Sequence, residues 1–272
     1  FEPRPKPVGY AGRELLPGLR VLRIDPYEAL SEYLALQLGL RSLVDLVLGS
    51  RPFRQLMDAS PGWRQLITLG KVWHLEQLTD AGGARQCDLL VVDAPATGHG
   101  VSFLDAPRVV VSAVRAGPLR RHAAKVEALV EDPERTLLLP VSLAEELPAR
   151  ETVELVERVR NGVGIAIDRV IVNGLVSVPR EPDLAELAEQ LSRIQKTPLP
   201  GEPPGSVLAD CVRYLCQRAR LGAHYAAEIE RRTGLPVVCL PFLPEGIRDS
   251  GDIARLAVLL LGAPGAAPQA PR

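Results

Sequence analysis

The sequence predicts an α/β fold: a doubly wound, mostly parallel sheet with an inserted helical subdomain. Two observations predict the sheet. Short apolar runs such as Leu89 to Val92 are typical of strands buried on both faces under helices. These runs alternate with helical patterns, as they do in doubly wound folds. A third observation predicts the subdomain, because strand signals are absent from 27–81, where breakers separate helical segments.

Taken in order, the first helix has the clearest start. Asp25 stands at the cap, Pro26 at the first helical position and Glu28 where a capping box needs it. The helical subdomain is predicted at about 27–82 and 101–133, and the tail at 263–272 is predicted to be disordered. The predicted strands are 19–24, 87–93, 136–141, 169–173 and 237–240, and the predicted helices are 27–39, 40–49, 51–59, 63–78, 101–114, 118–131, 151–160, 182–195, 205–232 and 252–261.

Composition narrows the classes of function. The 272 residues suit a single α/β domain, 1–272, and 46% apolar residues suffice for a large core. A net charge of −1 gives no reason to expect a nucleic-acid partner. No apolar run approaches the ~20 residues that span a membrane, so we do not expect an integral membrane protein. Four cysteines without a C-x-x-C pair favour a reducing, cytoplasmic setting. Because the chain starts with Phe1, we expect it to be truncated at the N-terminus.

Asp93 is the main candidate for chemistry. It follows the apolar run directly, and Thr97, Gly98, His99 and a second glycine, Gly100, come next. In open parallel sheets, ligands bind beyond the carboxyl ends of the strands. A carboxylate placed there can hold magnesium, which prefers oxygen ligands. Taken alone, Asp93 could equally cap the next helix.

The longer segment 93–107, DAPATGHGVSFLDAP, resembles the switch of the ArsA/Get family, the deviant P-loop ATPases that drive anion pumps or target tail-anchored proteins. Further stretches are similar to that family: LRVLRIDPYEAL at 19–30, PARETVELVERV at 148–159, RVIVNG at 169–174 and LPFLPEGI at 240–247. The resemblance implies a P-loop NTPase-like sheet of the SIMIBI type. It also implies use of ATP with Mg, a dimer, and a helical subdomain on which a protein partner or cargo docks.

The resemblance also implies roles for particular residues. Asp93 would be the magnesium ligand, and Thr97, Gly98 and His99 would belong to the catalytic switch. Asn173 would meet the adenine, whose edge suits an amide that both donates and accepts. Two of these residues have a plainer interpretation. Asn173 could be a turn former, and His99 could be a loop histidine whose hydrogen bonds are satisfied. The loop expected to cover the base, which could instead cap a sheet edge, consists of Pro241, Phe242 and Leu243.

The sequence also departs from the family. Nothing in it resembles the GKGGVGKT-like phosphate loop, and no G-K-[ST] occurs. That loop supplies backbone N–H groups and a lysine to the phosphates, so binding of ATP or ADP should need it. This chain alone is predicted to be inactive as an ATP hydrolase. Cys211 and Cys216 are five residues apart, about 140° around a helix, which favours core residues over a metalloid site.

Three functions remain open at this point. The first is an ArsA/Get-type ATPase, in which hydrolysis of Mg-ATP resets the switch at 93–100 and reorients the helical subdomain. The second is a non-catalytic pseudo-ATPase subunit that binds or regulates an intact paralogue, and the dimer could thus be homomeric or heteromeric. The third, a doubly wound dehydrogenase or glycosyl-group transferase, is disfavoured because no G-x-G-x-x-G follows a first strand.

Overall fold

A computed structural model of the chain describes residues 7–38, 50–51, 55, 62–178, 181–194 and 205–262. The chain divides into two compact units, Phe1–Thr136 and Leu137–Arg272. The predicted helix at 40–49, nearly all of that at 51–59 and the tail at 263–272 lie outside the described residues. No helix within the described ranges has the length and apolar character needed to cross a membrane.

The first unit is largely helical. It opens with an antiparallel hairpin of β1 (Arg13–Leu16) and β2 (Leu19–Val21). Four described helices follow: α1 (Pro26–Leu38), α2 (Trp63–Gln77), α3 (Thr97–Ala113) and α4 (Pro118–Glu131). The predicted cap of α1 is confirmed, because Asp25 Oδ1 accepts from the backbone N–H groups of Tyr27 at 2.9 Å and Glu28 at 3.1 Å.

Two apolar clusters hold this unit together. One joins α1 to α2 through Leu30, Trp63 and Ile67, which are all buried. The other consists of Leu69 on α2, Phe103 on α3 and Val126 on α4. Buried apolar side chains on facing helices supply most of the stability of such helices, since helical propensity alone is marginal.

The predicted strand at 87–93 is wrong. The segment has no strand assignment, and Leu89 and Val91 are 78% and 85% exposed. An apolar run forms a buried parallel strand only where neighbouring strands satisfy its backbone groups. In the described part of the chain, none of the named sheets includes this segment.

The second unit contains a parallel sheet in the order β3–β4–β5, formed by Val141–Leu143, Val170–Leu175 and Val237–Pro241. Its helices are α5 (Glu146–Arg158, continuing as a π-helical turn Val159–Val163), α6 (Glu181–Ile194), α7 (Gly205–Thr233) and α8 (Ser250–Leu261). The strand predicted at 136–141 is misplaced, since it shares only Val141 with β3. Pro140, directly before β3, has no N–H to donate, and its carbonyl accepts from Ile171 N at 2.9 Å.

Both faces of this sheet are covered by helices. Val170, Val172 and Val237 point towards α5 and α7, where they pack with residues such as Val153 and Ile229. The alternate residues Ile171, Val238 and Leu240 pack on the other face against α8. The architecture is therefore mixed α/β with a parallel sheet between helices, which is compatible with a P-loop NTPase-like fold.

Candidate functional site at the carboxyl edge of the sheet

The ends of β4 and β5 bring the predicted base-contacting residues together. Asn173 lies opposite Leu143 of β3, near the end of β4. Phe242 follows β5, and its N–H donates to the Leu175 carbonyl at 2.9 Å. Because the three strands are parallel, their carboxyl ends form one edge, which is where open α/β sheets bind ligands.

A β-bulge shapes this edge. Val172 lies opposite Cys239, whereas Leu175 lies opposite Pro241, so that Asn173 and Gly174 together face one residue of β5. Gly174 has a φ of 75°, in the left-handed region that a residue with a Cβ adopts only with strain. The bulge interrupts the ladder, and the Asn173 side chain is exposed at the edge.

The loop after β5 presents apolar surface next to this asparagine. Phe242 and Ile247 are 56% and 60% exposed, while Leu243 is partly buried. A tight turn holds the loop, since Gly246 N donates to the Leu243 carbonyl at 3.0 Å. An aromatic ring beside an exposed amide can stack on a purine while the amide bonds to its edge.

The far end of the same loop is fixed to α8. Asp249 caps this helix by accepting from the N–H groups of Gly251 at 2.8 Å and Asp252 at 3.1 Å. The Asp252 carboxylate accepts from Arg248 N at 3.1 Å, and this backbone hydrogen bond, with the Arg248 guanidinium, lowers the pKa of Asp252. Hydrogen bonds thus anchor the loop at both ends, and they restrict the positions of Phe242 and Ile247.

Helix α7 supports the edge from one face. A Cβ at Gly222 would lie 2.7 Å from Leu175 Cδ1 and 3.4 Å from Ala144 Cβ, so a side chain here would have to displace the Leu175 side chain. Arg218 of the same helix pairs with Glu145 across 2.9 Å, directly before α5. These contacts fix the residues that follow β3 and end β4.

The predicted switch residues lie in the other unit. Asp93 is exposed, and within the described ranges its carboxylate has no hydrogen-bond or ion-pair partner. Residues 97–100, which precede the helix predicted at 101–114, instead make the first turn of α3, where Gly100 N donates to the Ala96 carbonyl at 3.0 Å. The predicted site residues therefore fall into two sets: Asn173, Pro241, Phe242 and Leu243 at the sheet edge, and Asp93, shortly before α3, with Thr97, Gly98 and His99 in the first turn of that helix.

The residues present fit the ligands that the resemblance implies. Magnesium is commonly held by one or two carboxylates, with substrate oxygens and water completing the octahedron. Asp93 provides one such oxygen donor, and no group of three His, Cys, Asp or Glu suited to a metal ion occurs among the described residues. At the sheet edge, the exposed Asn173 amide and Phe242 ring fit an adenine base.

One expectation, which concerns a cysteine outside these sites, is wrong, and two features of the sheet edge were not predicted. Cys211 is exposed and Cys216 partly buried, so the interpretation of Cys211 as a core residue is wrong. The helix presents its buried face through other residues, including Ala209, Ala226 and Ile229. Sequence reasoning also missed the bulge at Gly174 and the exposed Ile247. The signal available for the bulge was the Asn-Gly pair that interrupts an otherwise β-branched run.

Comparison with known proteins gives relatives that are named as ATPases. ATPase BagA of Mycobacterium tuberculosis is 32% identical over 174 residues, which cover 63% of this chain and 50% of the relative. The arsenical pump-driving ATPase of Acidiphilium multivorum is 26% identical over 267 residues, covering 88% of this chain and 44% of the relative. No protein-family model matches the chain.

These similarities support the general resemblance to ArsA-like ATPases that the motifs indicated. The chain spans about half the length of each of these curated relatives. The activity, substrates and partners of a whole protein are therefore matters for proposal.

Proposed function

We propose that this chain forms most of the nucleotide-dependent domain of an ArsA/Get-type ATPase. The observation that carries the proposal is the convergence of Asn173 and Phe242 at the carboxyl edge of a parallel sheet. Similarity to relatives named as ATPases supports it. In this proposal Asn173 reads the adenine edge, and Pro241, Phe242 and Leu243 cover the base.

The switch has a different role in the proposal. Asp93 contributes a carboxylate to magnesium, directly or through a bound water. Residues 93–96 lead into α3 and residues 97–100 form its first turn, whose N–H groups are suited to negative charge by position and by the helix dipole. A change of nucleotide at this segment would move α3, and with it the helices that pack on α3. Those helices would carry a protein partner or cargo, and the protein would act as a dimer.

A non-catalytic paralogue is the alternative. The observation that favours it is the sequence itself, in which no G-K-[ST] occurs within the 272 residues. Such a subunit would keep the fold and the base-contacting edge and would regulate an intact partner. The two functions differ in whether a phosphate-binding loop supplied next to this chain restores turnover.

We expect this chain alone to bind Mg-ATP weakly, with a dissociation constant above about 1 mM, because no phosphate loop is present to add its hydrogen bonds. Isothermal titration calorimetry measures this directly. Micromolar affinity would contradict the proposed placement of the phosphate site.

The role of Asp93 is tested in a longer protein in which a GKGGVGKT-like loop precedes this chain. Magnesium-dependent hydrolysis should appear there, and Asp93→Asn should reduce it by about 100-fold or more, because the amide is a poor ligand for a hard cation. Asp88→Asn, five residues earlier and also exposed, is the matched control and should leave hydrolysis unchanged. Equal rates for wild type and Asp93→Asn would exclude the metal role, and absence of turnover in both would favour the non-catalytic alternative.

A further inference from the structure

Three helices of the first unit surround a cavity of about 130 Å³ that the proposed ATPase mechanism does not use. Helix α1 contributes one wall, α2 a second and α4 the third. The aromatic rings of Tyr33 and Trp73 form part of the lining. The groups that can carry charge are Glu32 on α1, Lys71 and His74 on α2, and His122 and Lys125 on α4.

A glycine in the middle of α2 makes room for one of these groups. A Cβ at Gly70 would lie 2.6 Å from His122 Nε2, so the imidazole packs directly against the helix backbone. Glycine within a helix costs roughly 0.5–1 kcal/mol relative to alanine. The imidazole also contacts the rings of Tyr33 and Trp73, with centroids 4.7 and 5.5 Å away. His122 is therefore held firmly in one place beside the cavity.

The imidazole of His122 has hydrogen-bonding capacity that the protein does not use, although its Nε2 lies against Gly70. Neither imidazole nitrogen has a hydrogen-bond partner elsewhere in the described part of the chain. A half-buried imidazole whose nitrogens lack a protein partner must bond to water or to a bound molecule. His122 lines the cavity, so a water or a small molecule held there is placed to supply such a hydrogen bond.

The charges around the cavity are unequal. Lys71 is neutralised by Glu32, whose Oε2 lies 2.5 Å from the ammonium nitrogen and also accepts from Tyr10. Lys125 lies 5.3 Å from the centre of the Trp73 ring, and no carboxylate pairs with it among the described residues. Two ammonium groups therefore face one carboxylate. Burial, followed by the charges of Lys125 and His74, lowers the pKa of His122, as an electropositive environment should.

We propose that this cavity binds a small anion, a carboxylate or a phosphate, through the Lys125 ammonium and the His122 imidazole. Its volume of about 130 Å³ is close to the ~150 Å³ of an engineered cavity that accepts benzene, so the part of a ligand held between the helices has about six non-hydrogen atoms. A metal cation is disfavoured, because the two lysines repel it and no suitable group of three ligands occurs in the described ranges. The anion replaces the water that would otherwise satisfy the imidazole.

The test is an NMR titration of the whole chain with sodium acetate and, separately, with inorganic phosphate at constant ionic strength. The Trp73 indole and His122 ring signals should shift saturably at millimolar anion. The indole of Trp63, packed in the other apolar cluster of the same unit, should not shift and serves as the internal control. Saturation by acetate alone identifies a carboxylate site, and saturation by phosphate alone a phosphate site.

Two variants separate local binding from general charge. Lys125→Met keeps the length of the side chain and should weaken binding by about fivefold or more. Arg121→Met removes the same charge from the same helix at an exposed position outside the cavity lining and should change the midpoint by less than twofold. An unchanged Trp63 signal shows that each variant is folded. Absence of saturable shifts at Trp73 with both anions, or equal weakening in the two variants, would overturn the proposal.

The pH dependence gives an independent readout. Glu32 and Tyr33 on α1 and Lys71 and His74 on α2 line the cavity together with His122, and Lys125 lies one turn further along the His122 helix. Protonation of His122 adds a cation, and because its pKa is lowered from the ordinary value of about 6.5, binding of acetate should tighten as the pH falls below about 6.5. By linkage, the bound anion should raise the pKa of His122. A His122 titration that is the same with and without saturating anion would contradict a direct contact.

Discussion

At the scale of single residues, Gly222 decides how closely α7 crosses the edge of the sheet. Its missing Cβ leaves room for the Leu175 side chain and for Ala144. The Leu175 carbonyl in turn accepts a hydrogen bond from the Phe242 N–H at 2.9 Å. The helix is therefore connected through one side chain and one hydrogen bond to the loop that we propose covers the base.

Gly222→Ala should lower the free energy of unfolding by about 1–2 kcal/mol. Overpacking a well-filled site destabilises a protein by about 1–3 kcal/mol. The better helical propensity of alanine offsets only part of this destabilisation. Gly162→Ala is the matched control, because a Cβ there meets nothing within 4 Å, and it should stabilise the protein by about 0.4–1 kcal/mol. Urea unfolding measures both, and a Gly222→Ala protein as stable as wild type would contradict the close approach.

At the scale of elements, one carboxylate joins three separate segments of the first unit. Glu32 on α1 accepts from Tyr10, which precedes the hairpin, and pairs with Lys71 of α2 at 2.5 Å. Burial by itself raises the pKa of Glu32, but the hydrogen bonds from Lys71 and Tyr10 outweigh it, and the resulting pKa lies below its usual range. A carboxyl group with a lowered folded pKa stabilises the protein above the pKa of about 4.3 that it has when unfolded.

We therefore expect stability to fall with pH once the pH drops below about 4.3, as protons bind Glu32 more readily in the unfolded chain. Glu32→Gln should remove part of this dependence. At pH 7 it should also cost roughly 1–3 kcal/mol, since Lys71, with a side chain only 11% exposed, loses its charged partner. Glu154→Gln breaks only an exposed pair with Arg150 and should have little effect. Thermal unfolding from pH 3 to 7 that showed equal slopes for wild type and Glu32→Gln would contradict this account.

At the scale of the whole molecule, the helices were the most predictable feature. Those predicted at 118–131, 182–195 and 205–232 agree with the structure to within about one residue at each end, because amphipathic periodicity and breakers are local signals. The strands at 169–173 and 237–240 were also predicted correctly. Their uninterrupted apolar runs are flanked by helices that cover both faces of the sheet.

The strand at 87–93 failed for a reason that local pattern cannot detect. Leu89 to Val92 have the composition of a buried strand, but burial requires partners on both edges and both faces, and these depend on the rest of the fold. The proposed sites divide in the same way. Asn173 and Phe242 were indicated by the family resemblance, whereas the bulge at Gly174 and the cavity beside His122 arise from contacts between elements far apart in the sequence.

The most direct test of the central claim is a titration of this chain with adenosine, monitored by NMR at Asn173 and Phe242, because the base contact needs no phosphate loop. We expect saturable shifts of the Asn173 side-chain amide and the Phe242 ring at millimolar adenosine. Asn173→Leu should abolish them, whereas Asn161→Leu, at an exposed position of the π-helical turn, should not. On the edge formed by N7 and the 6-position, guanine offers only acceptors whereas adenine also has the N6 donor, so guanosine should bind more weakly where Asn173 contacts that edge. Equal shifts with both nucleosides, or none with adenosine, would contradict an adenine site at this edge of the sheet.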